Sequence, residues 1–475
     1  MNYWTHIFFW AIVTVLASGV AFAQEPFSLL SVEDKPTLSI KGFVEIDTTT
    51  STYPHQETAD IFKKDELKAN TTIKYGKESF YVYTDINAYL LPNLINKNIN
   101  PAYRYSEETD ILRNGTITSS NTEINFRECY INYEIGSVRL RAGNQIFAWG
   151  TADAFNPTSY FNTYDLREFL FKDEDTELKM GVPAVSMLMT LGNDTLELVI
   201  TPLHIPLRMP QAGSFWQLTV KEGPFPVTIA QPEVLPFEIA NAGVGARYYH
   251  NIAGFDVHLS AYHGPDTIPY LLPVKTILQP NEPVSILVEP RYAIVNMAGT
   301  ALSKAYKDFV FQVEAVYSPD KTGVVDVDLQ NLNAAQLQTL LPYKTRKSHF
   351  VTYSAGFNYF IPIRDYFKEH EGQCVFTFEW SQSHFFDNKL MKPMLSDIVV
   401  LRLQDSFFND KLDVKISSFV EKQTSSYMIM PRVSYRFDSG LTFDVTYVYL
   451  HMTADSYFAG YNNNDCVTGR VSYEF

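Results

Sequence analysis

Hydrophobic and polar positions alternate with a period of two along most of this chain, the pattern of strands with one apolar and one polar face. At the C-terminus Val467, Gly469, Val471, Tyr473 and Phe475 share one face, and Thr468, Arg470, Ser472 and Glu474 share the other. Near the start Leu38, Ile40, Gly42, Val44 and Ile46 alternate with Ser39, Lys41, Phe43, Glu45 and Asp47. Between these ends, segments pair across short turns: 67–75 with 80–88, 124–135 with 138–147, 185–191 with 196–200, and 244–249 with 255–262. The same holds for 293–302 with 309–317, 351–360 with 374–385, 398–408 with 412–421, and 428–437 with 441–450. The pattern predicts about 18 strands; 16 and 14 are the alternatives, because strand ends read from sequence blur by several residues.

Longer connections separate these hairpins, at 48–66, 90–122, 148–178, 202–242, 264–290, 318–346, 386–396 and 451–465. Alternation of short turns with long loops is the asymmetry of an outer-membrane barrel. The fold class expected is therefore all-β: a transmembrane antiparallel β-barrel over residues 37–475, with long extracellular loops. An even strand count puts both mature termini in the periplasm. A β-propeller would need a self-similar repeat of fixed period, and none is visible.

The N-terminus agrees with export. Residues 7–20 form an apolar run, and Ala21-Phe22-Ala23 supplies an A-x-A cleavage site with Gln24 as the first mature residue. Residues 1–23 read as a signal peptide, although the leader lacks Lys and Arg; a membrane-anchoring helix is the alternative. The run is shorter than the ~20 residues that a helical span needs. Residues 24–36 make a short periplasmic segment, too brief for a folded plug domain. The final Tyr473-x-Phe475 resembles the assembly signal of Gram-negative outer-membrane barrels. That implies two partners, the barrel-assembly machinery and outer-membrane lipid.

Composition changes the picture modestly. Hydrophobic residues make up 46% of 475, which fits a barrel that shows lipid only alternate residues. The 34 Phe and 30 Tyr suit aromatic girdles at two membrane interfaces. A formal net charge of −15 argues against a nucleic-acid partner. The three cysteines are far apart, and no His/Cys cluster with ligand spacing occurs, so neither metal nor cofactor is expected. His250, His258 and His263 lie near one hairpin, but no Gly-x-Ser-x-Gly or His-Glu-x-x-His is present, which disfavours an enzyme.

One stretch departs from the alternation: GNQIFAWGTADAFNPTSYFNTYDLR, Gly143 to Arg167. It begins as the fifth strand. Val138, Leu140, Ala142 and Ile146 would face lipid, with Arg139, Arg141, Gly143 and Gln145 facing the lumen. Charged side chains on the lipid face cost several kcal/mol at mid-depth, which decides the assignment. The chain leaves the membrane near Trp149 and enters a polar loop with Asp153, Asn156-Pro157, Asn162, Asp165, Arg167 and Glu168. Asn-Pro and Asp/Asn residues order a loop through turns. An ordered third loop can fold into the lumen, or pack outside it as a lid. Folded inward, Asp153 or Asp165 could pair with Arg139 or Arg141 and set a charged constriction. Arg139, Arg141, Gln145, Trp149, Asp153, Asn156, Asp165 and Arg167 are thus the candidate pore-lining residues. The loop's aromatics, Phe147, Trp149, Phe155, Tyr160, Phe161, Tyr164 and Phe169, could stack on solutes or serve as interface anchors.

The run Arg127-Glu128-Cys129-Tyr130, then Gly143-Asn144-Gln145, Trp149-Gly150-x-x-Asp153-x-x-Asn156-Pro157 and Asp165-x-Arg167, resembles a large uncharacterised family of Gram-negative outer-membrane porin-like barrels. The likeness covers most of the mature chain. It implies a channel-like barrel, associated with hydrophobic or aromatic compounds or with service to an exporter, and it carries no established ligand residues. Cys129 stands where a small residue is usual. Arg127 would face lipid under strict alternation, so a bulge or a rim position is required there. The function expected is a porin-like channel for a small-molecule solute, possible as a homo-oligomer. The alternatives are a plugged structural or adhesin-like barrel and a hydrophobic-compound transporter.

Overall fold

Eighteen strands close on themselves as one antiparallel ring: β1 (Thr37–Ser51), β2 (Phe62–Gly76), β3 (Phe80–Leu90), β4 (Thr122–Ile135), β5 (Val138–Gln145), β6 (Val182–Leu191), β7 (Asp194–Thr201), β8 (Gly243–Ile252), β9 (Phe255–Pro265), β10 (Ile294–Tyr306), β11 (Phe309–Val324), β12 (Thr345–Ile361), β13 (Cys374–Phe385), β14 (Asp397–Phe407), β15 (Leu412–Glu421), β16 (Ser426–Arg436), β17 (Leu441–His451) and β18 (Cys466–Glu474). The seam is β1 against β18, in register from Phe43 opposite Glu474 to Ser51 opposite Cys466. The structure, a computed structural model, describes residues 36–52, 62–91, 113, 115–119, 121–168, 178–210, 214–217, 221–222, 225–278, 284–327, 329, 333–368, 370–393, 396–454, 456 and 458–475. The expected leader with Ala21, Ala23 and Gln24, the segment up to residue 35, and Phe169 lie outside the described residues.

The barrel is polar inside and apolar outside. Val44, Ile131, Val185, Leu259, Val313 and Val445 are exposed on the outer face, while Glu66, Glu123, Asn132 and Glu314 are buried to 1% exposure or less. That inversion fixes the strand register. A slip of one residue would turn every polar side chain outward, and an Arg or Lys on the lipid face costs about 2–4 kcal/mol at the bilayer midplane. The two-residue turns follow strand geometry: Gly136 (φ 57°) and Gly192 (φ 67°) supply the positive φ that tight hairpins demand. Both ends of the barrel chain lie at this short-turn end, where Tyr473 and Phe475 are exposed on the outer surface.

Two local departures serve the wall. Arg127 is the extra residue of a bulge, because Asp85 pairs with Glu128 and Ile86 with Phe126. The bulge frees Arg127 from the alternation and places its guanidinium 3.4 Å from Asp85. β5 stops after eight residues, at Gln145. The edge of β4 that it leaves uncovered is paired instead by Thr116–Thr118, opposite Asn125 to Glu123.

The long connections hold more structure than the sequence pattern shows. Tyr270–Ile277, Ser285–Arg291, Phe225–Ile229 and Lys221–Glu222 form a second, four-stranded sheet. Ala334–Leu340 is a helix with a complete capping box, Asn333 to Gln336. Leu272, Ile286, Val288, Leu337 and Tyr343 pack together between them. These segments are too short and too interrupted by Pro for period-two alternation to stand out, yet they bury an apolar cluster of their own.

Candidate functional site: the third loop and the wall it crosses to

Beyond Gln145 the chain turns away from the wall. Asn162, fully buried, ties the two ends of the loop together. Its carbonyl accepts from Phe147 N–H at 2.7 Å, and its amide donates to the carbonyls of Gln145 (3.1 Å) and Met180 (2.7 Å). Gln145 itself braces the wall, donating to Ala184 O at 2.9 Å and accepting from Ser186 at 2.8 Å. Gly150 is required by the turn: its φ is 99°, and a Cβ there would lie 2.0 Å from Asn156 Oδ1. The Trp-Gly and Asn-Pro elements are therefore one structural unit. Asn156 shapes the turn, and Thr158 donates to its side chain at 3.2 Å.

The loop's near half is held by two carboxylates on β11 and β13, six and eight places round the ring from β5. Glu314 accepts from the backbone N–H groups of Thr151, Ala152 (2.6 Å) and Thr158 (3.2 Å), and from the Thr158 hydroxyl at 2.9 Å. Glu379 accepts from the N–H groups of Asp153 (2.8 Å), Ala154 (3.0 Å) and Phe155 (2.7 Å). Both acids are buried, at alternate positions to lipid-facing neighbours such as Val313. Reaching them takes the loop through the interior of the barrel. Hydrogen bonds to a charged acceptor are worth about 1.5–3 kcal/mol each, so two buried carboxylates with no ion-pair partner among the described residues are compensated by six backbone donors and the Thr158 hydroxyl.

Apolar packing seats the flanking residues against the arc of wall from β7 to β11. Phe147, Trp149, Tyr160 and Phe161 are buried against Val199, Tyr262, Val295 and Val316. The Trp149 ring lies edge-on to Phe161 at 5.0 Å, and Tyr160 stacks on Tyr262 at 5.5 Å. These aromatics, candidates for solute stacking, are consumed in holding the loop. Phe155 packs on Phe419 instead.

The distal half is held by ion pairs. Arg167 engages Glu123 with both terminal nitrogens, at 2.7 and 3.0 Å, and donates through Nε to Asp165 at 2.8 Å. Arg208 lies 3.4 Å from Glu123 and 3.5 Å from Asp165. Lys64 joins Glu168 and Asp47, each at 2.8 Å. Every one of these groups is largely or wholly buried, so each charge depends on its partners.

The eight residues singled out in the sequence thus separate. Arg139, Arg141, Gln145 and Trp149 line one cavity of about 210 Å³, with Glu197 and Arg247. Asp153 lines another, of about 400 Å³, with Asn358, Arg402, Asp410 and Asp413. Asn156, Asp165 and Arg167 line neither and are structural. The anticipated pairing of Asp153 or Asp165 with Arg139 or Arg141 does not occur. Asp153 accepts from Asn358 at 2.7 Å, Asp165 is taken by Arg167, Arg139 pairs with Glu134 at 2.6 Å, and Arg141 bonds Asn132 at 2.9 Å. The physical reason is reach: Glu379 pulls Asp153 toward β13, away from β5. Sequence reasoning missed Glu314, Glu379, Glu123, Lys64, Glu197 and Arg247. The available signal was a lone charge at an inward position of an otherwise apolar strand, as in FVFQVEAVY and FTFEW. The three histidines of the β8–β9 hairpin do not converge: His250 pairs with Asp194, His258 packs on Tyr249, and His263 bonds Asn296.

A closed antiparallel ring with a polar interior, an apolar belt and an inserted loop defines a porin-like transmembrane β-barrel. Residues 57–389 match the family described as "Protein of unknown function (DUF1302)", and the chain belongs to that family. No curated protein matches it by sequence. Similar solved structures include OccAB1 of Acinetobacter baumannii, with 7% identity and a TM-score of 0.48 over 92% of this chain and 96% of that one. OpdK of Pseudomonas aeruginosa, solved with vanillate, has 10% identity and a TM-score of 0.47 over 92% and 98%. OmpF of Salmonella typhi, in complex with daunomycin, has 8% identity and a TM-score of 0.41 over 94% and 99%.

Proposed function

We propose that the protein is a Gram-negative outer-membrane channel for passive or facilitated passage of small solutes, with both mature termini in the periplasm and no catalytic role. The observation that carries this reading is the third loop. It crosses the lumen without filling it, and cavities lined by charged side chains lie on different arcs of the wall among the described residues. One arc offers Arg139, Arg141 and Arg247 against Glu197, and the other Asp153, Asp410 and Asp413 against Arg402. Opposed charges at a narrowing filter solutes by charge and size. Tyr473 and Phe475 serve assembly, presented outward at the end of the closing strand. Oligomerisation through the lipid-facing wall is compatible with this role.

Single-channel conductance of the refolded mature protein in a planar bilayer, under a salt gradient, tests it. Discrete open steps are expected, with selectivity that changes in Arg139→Ala and Asp153→Ala. A specific observation favours a second reading, a plugged structural barrel: the buried ion pairs of Lys64 and Arg167 close one side of the lumen tightly. A folded barrel with no conductance would support that reading, or a path for apolar compounds that passes no ions.

A further inference from the structure

The cavity beside Trp149 is lined by more guanidinium groups than carboxylates. Three guanidinium groups line it, Arg139, Arg141 and Arg247, with a single carboxylate, Glu197. Arg247 is paired with Glu197 at 2.8 Å, and Arg139 with Glu134 at 2.6 Å. Arg141 has no ion-pair partner among the described residues. Its Nε donates to the neutral Asn132 side chain at 2.9 Å, its plane lies 4.8 Å over the Tyr130 ring, and one terminal nitrogen is at 3.5 Å from the Tyr81 hydroxyl. Glu128, on the neighbouring strand β4, accepts from the backbone N–H of Ile146 at 3.0 Å and makes no ion pair with Arg141.

A guanidinium oriented through Nε and by an aromatic face keeps its two terminal nitrogens as a planar fork. That fork matches a carboxylate in bidentate geometry, and it is preorganised, so little side-chain entropy is lost on binding. The rest of the lining is mostly apolar, Ile146, Phe147, Ala148, Trp149 and Leu188, with two polar side chains, Gln145 and Ser186, that are hydrogen-bonded to each other at 2.8 Å. The volume, about 210 Å³, is below the roughly 300 Å³ at which sites for drug-sized ligands begin. A guanidinium without an ion-pair partner, beside apolar side chains in a small space, selects an anion with a compact apolar body. Water would solvate a bare inorganic anion better than this wall does.

We propose that this cavity is a binding subsite for a small monocarboxylate with a short apolar body, held by Arg141. The subsite deepens the channel reading, on which it rests for how the solute arrives. The test is calorimetric titration of the refolded full-length mature barrel in detergent with sodium benzoate. Sodium acetate, sodium phosphate and benzyl alcohol serve as comparisons, and conductance is measured on the same preparations. Benzoate should bind most tightly. Arg141→Gln, which keeps a donor for Asn132, should weaken benzoate by at least about tenfold and leave benzyl alcohol unaffected. Arg141→Lys, which keeps charge without the fork, should lie between. Lys411→Gln, on an exposed turn, should match the parent protein. Benzyl alcohol or phosphate binding as tightly as benzoate would overturn the assignment, as would unchanged benzoate affinity in whichever Arg141 variant folds. Benzoate binding without conductance would refute the channel and leave the subsite standing; conductance without benzoate binding would do the reverse.

Discussion

The two halves of the third loop are anchored by opposite means. From Thr151 to Thr158 it is the backbone that is gripped, by the carboxylates of Glu314 and Glu379 on the far wall. From Asp165 to Glu168 it is the side chains, through Glu123, Lys64 and Arg208. A backbone grip is indifferent to the loop's own side chains and depends on two wall residues. A side-chain grip depends on each loop charge separately. The near half can therefore present varied side chains to the lumen without losing its path, whereas Arg167 and Glu168 are not replaceable.

The largest effect should come from removing both wall carboxylates. Glu314→Ala with Glu379→Ala deletes seven hydrogen bonds to ionised acceptors. The near half should leave the far wall, giving larger and noisier single-channel steps. Parent-like conductance from the folded double variant would show that the aromatic packing alone holds the loop. Next, Arg167→Ala removes the two-nitrogen grip on buried Glu123, and should cost about 3–5 kcal/mol, as breaking one side of a buried pair does. It should lower the thermal midpoint and speed proteolysis of the long loops, with little change in conductance while the near half stays pinned.

Acid should act on the distal half through His204. His204 lies in the segment that carries Arg208. It is buried against Tyr292, and neither ring nitrogen makes a full hydrogen bond. Burial, reinforced by Arg113 and opposed by the Asp266 backbone, lowers its pKa to about 4 from 6.5. A folded value below the free one means that the stabilisation is complete above pH 6.5. It fades as pH falls toward 4 and is constant below that, amounting to no more than about 3 kcal/mol. Hydrogen-exchange protection, relative to the intrinsic rate at each pH, should therefore fall around residues 204–208 between pH 7 and 5, and by more than at Thr151 to Phe155. His204→Phe should abolish that dependence. The smallest effect belongs to Asp153→Asn. It keeps the backbone bond to Glu379 and alters one hydrogen bond to Asn358, worth about 1 kcal/mol. Reversal potentials should shift toward anions with stability nearly unchanged.

The strands were legible because lipid enforces alternation on every one of them; even the departure at Arg127 pointed to its bulge. The loop's polarity and its Asn-Pro turn marked it as ordered. Its anchors were not legible, because an acceptor of backbone N–H groups leaves no trace in the segment it holds. Glu314 and Glu379 look like ordinary inward polar residues until the loop is placed against them. The aromatic run from Phe147 to Phe161 was ambiguous for a related reason: stacking on a solute and packing into a wall call for the same side chains.

The distance along the chain between the loop and its anchors sets an order of assembly. Thr151 is 163 residues from Glu314, and Asp153 is 226 from Glu379. Contacts of such separation are slow to form, because the intervening chain must be ordered first. The near half has no far-wall partner until β11 and β13 exist, and the ring closes only when β18 meets β1. Latching of the near half to the far wall is therefore a late event, nearly simultaneous with closure. A chain ending before Cys374 should carry its third loop unlatched from Glu379, however well its first strands have paired.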